Sequence, residues 1–599
     1  MKFPYGIADF HQIITEGYFY ADRTGFIPRI EDAGPQLFFL RPRRFGKSLL
    51  LSTLENYYDL RKADEFDHLF GRLAIGRNPT PTHNQYFVLK WDFSVVDYSG
   101  SAEQIRKSLH NHINGRSEFF AAYYREHLAH PIQITPEDAF ASFQSLLGAV
   151  RFTPYKLYLL IDEYDSFGNE VLRSERWPSQ SRHDDLLDAE RSLKAIVKLV
   201  KAALTGMGLD RVFITGVTPL VLSDAIGDYN VAFNVSRWPQ FHNLCGFTEA
   251  EITDVLSKMA AERGLRTSDV EDALLQMRLY YLGYCFSDEP KDLVYNPTQT
   301  LYFLDHFQQE RHSPIEMLDS NLAMDRGAID YVARHSYGPR LLAEAVGDDS
   351  DLSVRVLAEG SGVYDLLTTR KNADFLRSML YYFGVLTLAG ENAYRELRLR
   401  IPNMIIRGLF VERLKALMLP EIEDQKEGRL AAETLYQSGA LDPLCDFIER
   451  RYFKVLSNHD RPQANEVTVK TAFLTLLFND LLYIMDSEAT AGRRQADLTM
   501  IVRPNARQYQ VFDLLLEFKF LIPSDARLSD DEARGMSREE LTRLPAVQRK
   551  LAEARAQTPA YRRGLEERHK TQLRLRAFAV VALGFERVVW EEIPYSAIA

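Results

Sequence analysis

The chain has 599 residues, 46% hydrophobic, 26% charged and 12% aromatic, a globular composition that excludes extensive disorder at a length too great for one core. A formal net charge of −11 excludes capture of nucleic acid by bulk charge, and three scattered cysteines (Cys245, Cys285 and Cys445) exclude a zinc or disulfide framework and suit a reducing cytoplasm. The opening MKFPYGIADFHQII lacks the apolar core of a secretion signal, and no stretch reaches the ~18 apolar residues of a membrane span; a soluble, cytoplasmic protein without a membrane is expected.

Four short apolar runs punctuate the first part of the chain: Leu37-Phe-Phe-Leu40, Tyr86-Phe-Val-Leu89, Leu157-Tyr-Leu-Leu-Ile161 and Val212-Phe-Ile214. Runs of this kind, separated by helical stretches, predict a parallel sheet buried on both faces. At Thr248-Glu-Ala-Glu251 a capping box predicts a helix start, and helical patterns dominate to residue 355. Between 356 and 455, Phe375 to Leu388, a glycine turn and Leu399-Arg-Ile-Pro-Asn403 predict a small helical or winged-helix-like unit. After 460 the pattern becomes helix, strands, helix, and no internal repeat occurs.

The first run leads through Arg41-Pro-Arg-Arg-Phe-Gly-Lys-Ser48 into a helix. A glycine there lets successive N–H groups and the helix N-terminus form an anion nest. Lys47 is expected at the β and γ phosphates of ATP, the Ser48 hydroxyl on Mg²⁺, and Arg44, Phe45, Gly46 and Leu49 around the same nucleotide. The first glycine of the GxxxxGK[ST] pattern is replaced by Arg41, so the loop rim must be shaped differently. Asp162 and Glu163 end the third run; Asp162 is placed to hold the magnesium shell and Glu163 to orient or deprotonate the attacking water. Thr215 ends the fourth run as a candidate γ-phosphate sensor. Arg41, Arg43, Arg44 and Arg340 are further cations that could meet phosphate or simply face solvent.

In Val511-Phe-Asp-Leu-Leu-Leu-Glu-Phe-Lys-Phe-Leu-Ile522 a period of two puts Asp513, Leu515, Glu517 and Lys519 on one face. The run is apolar enough to be a central strand, where a charge needs a partner or a metal. Asp497 opens another predicted strand, and adjacent strands can pair it with Glu517 as hard oxygen ligands for Mg²⁺ or Mn²⁺. From Arg543 to Arg576 ten Lys or Arg suggest either a basic nucleic-acid face or a solvated helix.

Arg41–Ser48, Leu160-Ile-Asp-Glu-Tyr-Asp165, Thr215-Gly-Val-Thr218 and Cys245-Gly-Phe-Thr-Glu249 resemble the prokaryotic AAA-ATPase-like proteins fused to a PD-(D/E)xK nuclease domain. Pro4-Tyr-Gly-Ile-Ala-Asp-Phe10, Tyr18-Phe-Tyr-Ala-Asp-Arg-Thr24, Tyr284-Cys-Phe286, Tyr295-Asn-Pro297 and Ile401-Pro-Asn403 fit the same pattern, with Arg23 where the family usually has lysine. The resemblance implies Asp497 and Glu517 as metal ligands, Lys519 positioning water or stabilising the phosphate, and Glu488 as a further acidic ligand position. Glu466 is a candidate additional ligand, and Glu553, Gln557 and Tyr561 lie on a helix that often carries a supporting glutamine.

The fold class expected is α/β, in four segments: a P-loop AAA/ASCE-type parallel sheet over 1–265, a helical lid over 266–355, a helical or winged-helix-like linker over 356–455, and a restriction-endonuclease-like domain over 456–599. The function expected is ATP hydrolysis coupled to metal-dependent cleavage of nucleic acid, with DNA the favoured partner and a homo-oligomer left open. Bacterial defence or control of mobile DNA is implied by the resemblance alone. The rival is a signalling or scaffolding ATPase whose C-terminal domain binds nucleic acid or protein without cutting.

Overall fold

The computed structural model describes residues 1–168, 180–219, 232–289, 292–319, 326–347, 352–358, 372–454, 465–486, 497–569 and 573–594. They form two compact units, one of Met1–His335 with Ser353–Asn403, the other of Ser336–Leu352 with Met404–Ala599. The units are discontinuous in sequence, a feature absent from the four-segment reading.

The first unit is built on a parallel sheet of β1 (Gln36–Leu40), β2 (Tyr86–Asp92), β3 (Lys156–Asp162), β4 (Leu209–Gly216) and β5 (Phe233–Asn234) in the order β2-β3-β4-β1-β5. The four apolar runs of the sequence are β1 to β4, buried because helices cover both faces. β4 is inserted between β1 and β3, with Phe39 beside Thr215, Leu40 beside Gly216 and Ile161 beside Ile214. The phosphate loop, Asp162 and Thr215 therefore reach the same carboxyl edge of the sheet, where open α/β sheets bind ligands.

Helix Glu249–Arg263 starts on the expected capping box, with Thr248 and Glu251 bonding reciprocally, and ends on left-handed Gly264. A two-strand pair, β6 (Leu282–Tyr284) and β7 (Val294–Tyr295), precedes helix Pro297–Glu310. The last part of this unit is helix Ala373–Tyr382 with a three-stranded antiparallel sheet of β8 (Ser353–Val354), β9 (Thr387–Glu391) and β10 (Leu397–Arg400), ordered β8-β10-β9. This sheet belongs to the nucleotide-site unit. The Thr387 hydroxyl bonds both the N–H (2.7 Å) and the carbonyl (3.1 Å) of Cys285, and Gly384, at φ 73°, lies so close to Pro42 that a Cβ would sit 2.7 Å from its ring. No side chain fits there.

The second unit carries a mixed sheet of β11 (Tyr483–Asp486), β12 (Leu498–Val502), β13 (Asp513–Leu521), β14 (Leu575–Leu583) and β15 (Arg587–Ile593), in that order. Only the β13–β14 pairing is parallel. As its apolar sequence requires, β13 is central. Leu515, Leu551, Ala554, Ala579 and Val581 pack on one side, where helix Pro545–His569 covers the sheet, and Phe473 of helix Glu466–Leu477 meets Phe518 on the other. Among the described residues no helix is long and apolar enough to cross a membrane.

Candidate functional site

Helix Lys47–Tyr58 begins at Gly46, whose φ of 89° is left-handed; the preceding Arg44, at φ 63°, takes the same region without being glycine. These two turns curl the loop so that Arg44, Phe45, Gly46, Lys47, Ser48 and Leu49 all line one cavity. Phe45 anchors the loop from beneath, edge-on to Tyr284 at 4.9 Å and to Phe286 at 5.2 Å. Lys47 is buried and donates to the carbonyls of Arg41 (3.0 Å) and Pro42 (3.1 Å), with Glu163 Oε1 at 3.8 Å.

Arg41 resolves the missing first glycine. Its side chain turns away from the cavity and is 1% exposed, between the rings of Phe39 and Phe286 at 4.3 Å from each. It donates to the carbonyls of Leu40, Ser236, Phe241 and His242, fixing the loop rim to the far edge of the sheet. Burial pushes its pKa down to about 10, which keeps it charged at neutral pH. Arg41→Ala would leave these carbonyls unsatisfied and is expected to cost about 3 kcal/mol. Lysine would not rescue it, because one ammonium cannot replace the planar fork. A lowered thermal midpoint with weakened ATP binding, unrelieved in Arg41→Lys, is the expected result; melts matching wild type would contradict it.

The carboxylates sit opposite Lys47. Asp162 is 2% exposed, and its Oδ1 accepts from the Thr215 hydroxyl (2.6 Å) and the Glu163 N–H (3.0 Å). Thr215, fully buried, spends its hydroxyl on Asp162 and on the Ile161 carbonyl, so it orients the carboxylate from behind. Glu163 is held at a left-handed φ of 50° and lines the cavity. Burial raises its pKa above the usual carboxylate value, against the opposing pull of Lys47. Asp165 is not among the site residues the sequence singles out. Its buried carboxylate accepts from the N–H of Val217 and from the N–H (2.7 Å) and hydroxyl (2.8 Å) of Thr218, tying the loop after β3 to the end of β4. Spacing alone could not show this, although both motifs stand out in the chain.

The cavity measures about 500 Å³, within the range of small-molecule sites. Beyond the phosphate loop its walls come from Pro4–Ala8, Phe19–Ala21, Leu244–Phe247 and Pro297–Leu301. Three ties hold these walls: Arg23 to Glu251 and the Gly246 carbonyl, the Thr298 hydroxyl to the Arg44 carbonyl (3.0 Å), and the Tyr5 hydroxyl to Asp319 (2.6 Å).

Residues 4–226 match the family model described as a predicted AAA-ATPase. The N-terminal region is AAA-ATPase-like. A protein of Azotobacter chroococcum mcd 1, described as uncharacterized and encoded in the vnfD 5′ region, is 26% identical over 433 residues, 70% of this chain and 71% of that protein. Among solved structures, a Walker-type ATPase of Pyrococcus abyssi aligns with 14% identity and a TM-score of 0.36, over 65% of this chain and 95% of its own. The Aeropyrum pernix ORC1 protein, in complex with DNA, aligns with 12% identity and a TM-score of 0.27, over 68% and 98%.

Outside the AAA-ATPase-like region, β12 and β13 bring Asp497, Glu517 and Lys519 together. Asp497 Oδ2 accepts from the Phe518 N–H (2.7 Å), and the Asp497 N–H points at Glu517 Oε2 (3.4 Å). Lys519 donates to Glu517 Oε1 (3.0 Å) and to the Phe518 carbonyl (2.7 Å), with Glu466 at 3.8 Å. Burial, and then the charge of Asp497, push Glu517 up to about 7. Asp497, half-buried ahead of β12, and buried Glu517 supply carboxylate oxygens of the kind divalent cations take, with the Lys519 ammonium already paired to Glu517. Glu488 lies outside the described residues, and among those described no group of three His, Cys, Asp or Glu is arranged to hold a metal.

Several other expected residues have ordinary partners. Asp513 shares the strand face, but its carboxylate is taken by Arg507 and the N–H groups of Val502 and Arg574. Glu553 pairs with Lys550, while Gln557 and Tyr561 are half-buried on the same helix. Much of the basic run is neutralised, with Arg555 on Glu591, Arg562 on Glu566 and Arg576 on Glu592. Arg340 pairs with Glu344 and belongs to the second unit.

Proposed function

We propose that the chain hydrolyses ATP at the N-terminal cavity and uses it to drive or license metal-dependent phosphodiester cleavage of nucleic acid at Asp497, Glu517 and Lys519. The observation that carries the ATPase half is the convergence of Lys47, Asp162 and Glu163 on one sheet edge beside a nucleotide-sized cavity. The N–H groups around Gly46 and the Lys47 ammonium bind the phosphates. Ser48 and Asp162 would hold Mg²⁺; both protein bonds to Asp162 fall on Oδ1, and among the described residues none falls on Oδ2. Glu163, desolvated and raised in basicity, takes the proton of the attacking water.

The nuclease half rests on the paired acids and the adjacent lysine. A divalent ion bound there supplies charge neutralisation and water activation. Asp497 and Glu517 hold that ion, and Lys519 orients the water or meets the phosphate oxygens. Bacterial defence or control of mobile DNA is the setting we assign to this pairing, in the cytoplasm. The Lys519 ammonium, which already neutralises Glu517 at 3.0 Å, favours a second reading, a signalling or scaffolding ATPase whose C-terminal domain binds nucleic acid or protein without cutting. Incubation of the purified chain with plasmid and single-stranded substrates, with and without ATP and Mn²⁺, separates the two. Metal-dependent cleavage is expected; binding without cleavage in every condition selects the second reading.

A further inference from the structure

The phosphate loop rests on the segment Tyr284–Phe286. Phe45 packs edge-on to both rings, and the Arg41 guanidinium lies 4.3 Å from that of Phe286. The segment is itself held at both ends. The Phe286 N–H donates to His242 Nδ1 (3.3 Å), and a Cβ on Gly283 would sit 1.8 Å from the Pro402 carbonyl, just past β10.

Between the two rings, Cys285 gives both backbone groups to one side chain, the buried Thr387 at the start of β9. A hydroxyl can accept from the Cys285 N–H (2.7 Å) while donating to its carbonyl (3.1 Å), which no apolar side chain of the same shape can do. Three residues before it, Gly384 meets Pro42 of the loop. The stretch 384–387 thus touches the loop directly at Pro42 and, through the Cys285 segment, at Arg41 and Phe45. Thr387 is not among the residues lining the cavity.

We infer that Thr387 is a positioning residue of the nucleotide site: by fixing the Cys285 backbone it holds the phosphate loop in its binding curl and couples the β8-β10-β9 sheet to bound nucleotide. A loop that is competent only part of the time binds with its affinity reduced by that fraction. Loosening this contact therefore weakens ATP binding without removing any group from the cavity. Linkage makes the effect reciprocal, so nucleotide on the loop tightens the Thr387–Cys285 contact by the same factor. The inference rests on the reading that the cavity holds ATP, and it names a part of the unit that governs that binding.

The test pairs isothermal titration of the full chain with a non-hydrolysable ATP analogue and hydrogen exchange of peptides carrying Cys285 and Thr387, well below each variant's melting temperature. Thr387→Val keeps the shape and removes both bonds, and affinity is expected to fall about tenfold. Thr387→Ser, which restores the hydroxyl, is expected to return to within about twofold of wild type. In wild type the analogue should slow exchange in both peptides by about the same tenfold, a readout that needs no variant. A lowered melting midpoint in Thr387→Val with wild-type affinity would make the contact purely structural and overturn the inference, as would exchange indifferent to the analogue. A wild-type chain that binds no analogue would overturn the ATPase reading and this inference with it, whereas wild-type binding matched by Thr387→Val removes this inference alone.

Discussion

Lys47→Ala is expected to abolish tight ATP binding. The ammonium is the buried cation at the centre of the phosphate loop, and charge-assisted bonds of its kind are worth about 1.5–3 kcal/mol, or roughly ten- to a hundredfold in affinity. The same substitution frees the Arg41 and Pro42 carbonyls, so Lys47→Met, which keeps most of the volume, serves as the control for loop collapse. Isothermal titration with a non-hydrolysable ATP analogue reads the loss directly. Wild-type affinity in both variants would mean that ATP is held without the Lys47 ammonium and would contradict this assignment.

The second large effect is expected at the other unit. Asp497→Asn keeps an oxygen to accept from the Phe518 N–H, so the strand pairing survives, while the negative charge opposite Glu517 is lost. Nucleic-acid cleavage should fall by at least about a hundredfold, with ATP hydrolysis unchanged because the site lies in a separate compact unit. Lys519→Ala should retain Mn²⁺ binding, since it removes the cation that now neutralises Glu517, yet lose cleavage. A calorimetric titration without Mn²⁺ binding to wild type, or undiminished cleavage by Asp497→Asn, would count against these ligands.

The sequence makes legible those features in which local chemistry and fold agree. The apolar runs become β1 to β4 because a strand buried on both faces leaves a continuous apolar signature, and Thr248 with Glu251 caps a helix because the capping box is local. The Glu-x-Lys strand reads as central for the same reason, and it is. What stays hidden depends on distant residues. Arg41 looks like a solvent or phosphate contact until Phe286 and the 236–242 carbonyls are brought around it. Thr215 reads as a sensor, yet its hydroxyl is committed to Asp162 by the strand register. Asp165 and the Pro4–Ala8 wall carry no spacing signal. Residues 353–403 join the first unit, apart from the helices that begin at Met404, through packing such as Gly384 on Pro42.

Glu163 is where the ATPase reading is tested most directly, because one experiment there separates binding from turnover. Glu163→Gln keeps the size of the side chain and leaves Asp162, Ser48 and Lys47 in place, removing only the proton-accepting charge beside the cavity. Steady-state phosphate release, measured alongside nucleotide titration, should show ATP bound with at least wild-type affinity and hydrolysis reduced by about a hundredfold or more. Equal phosphate release by wild type and Glu163→Gln would contradict the account.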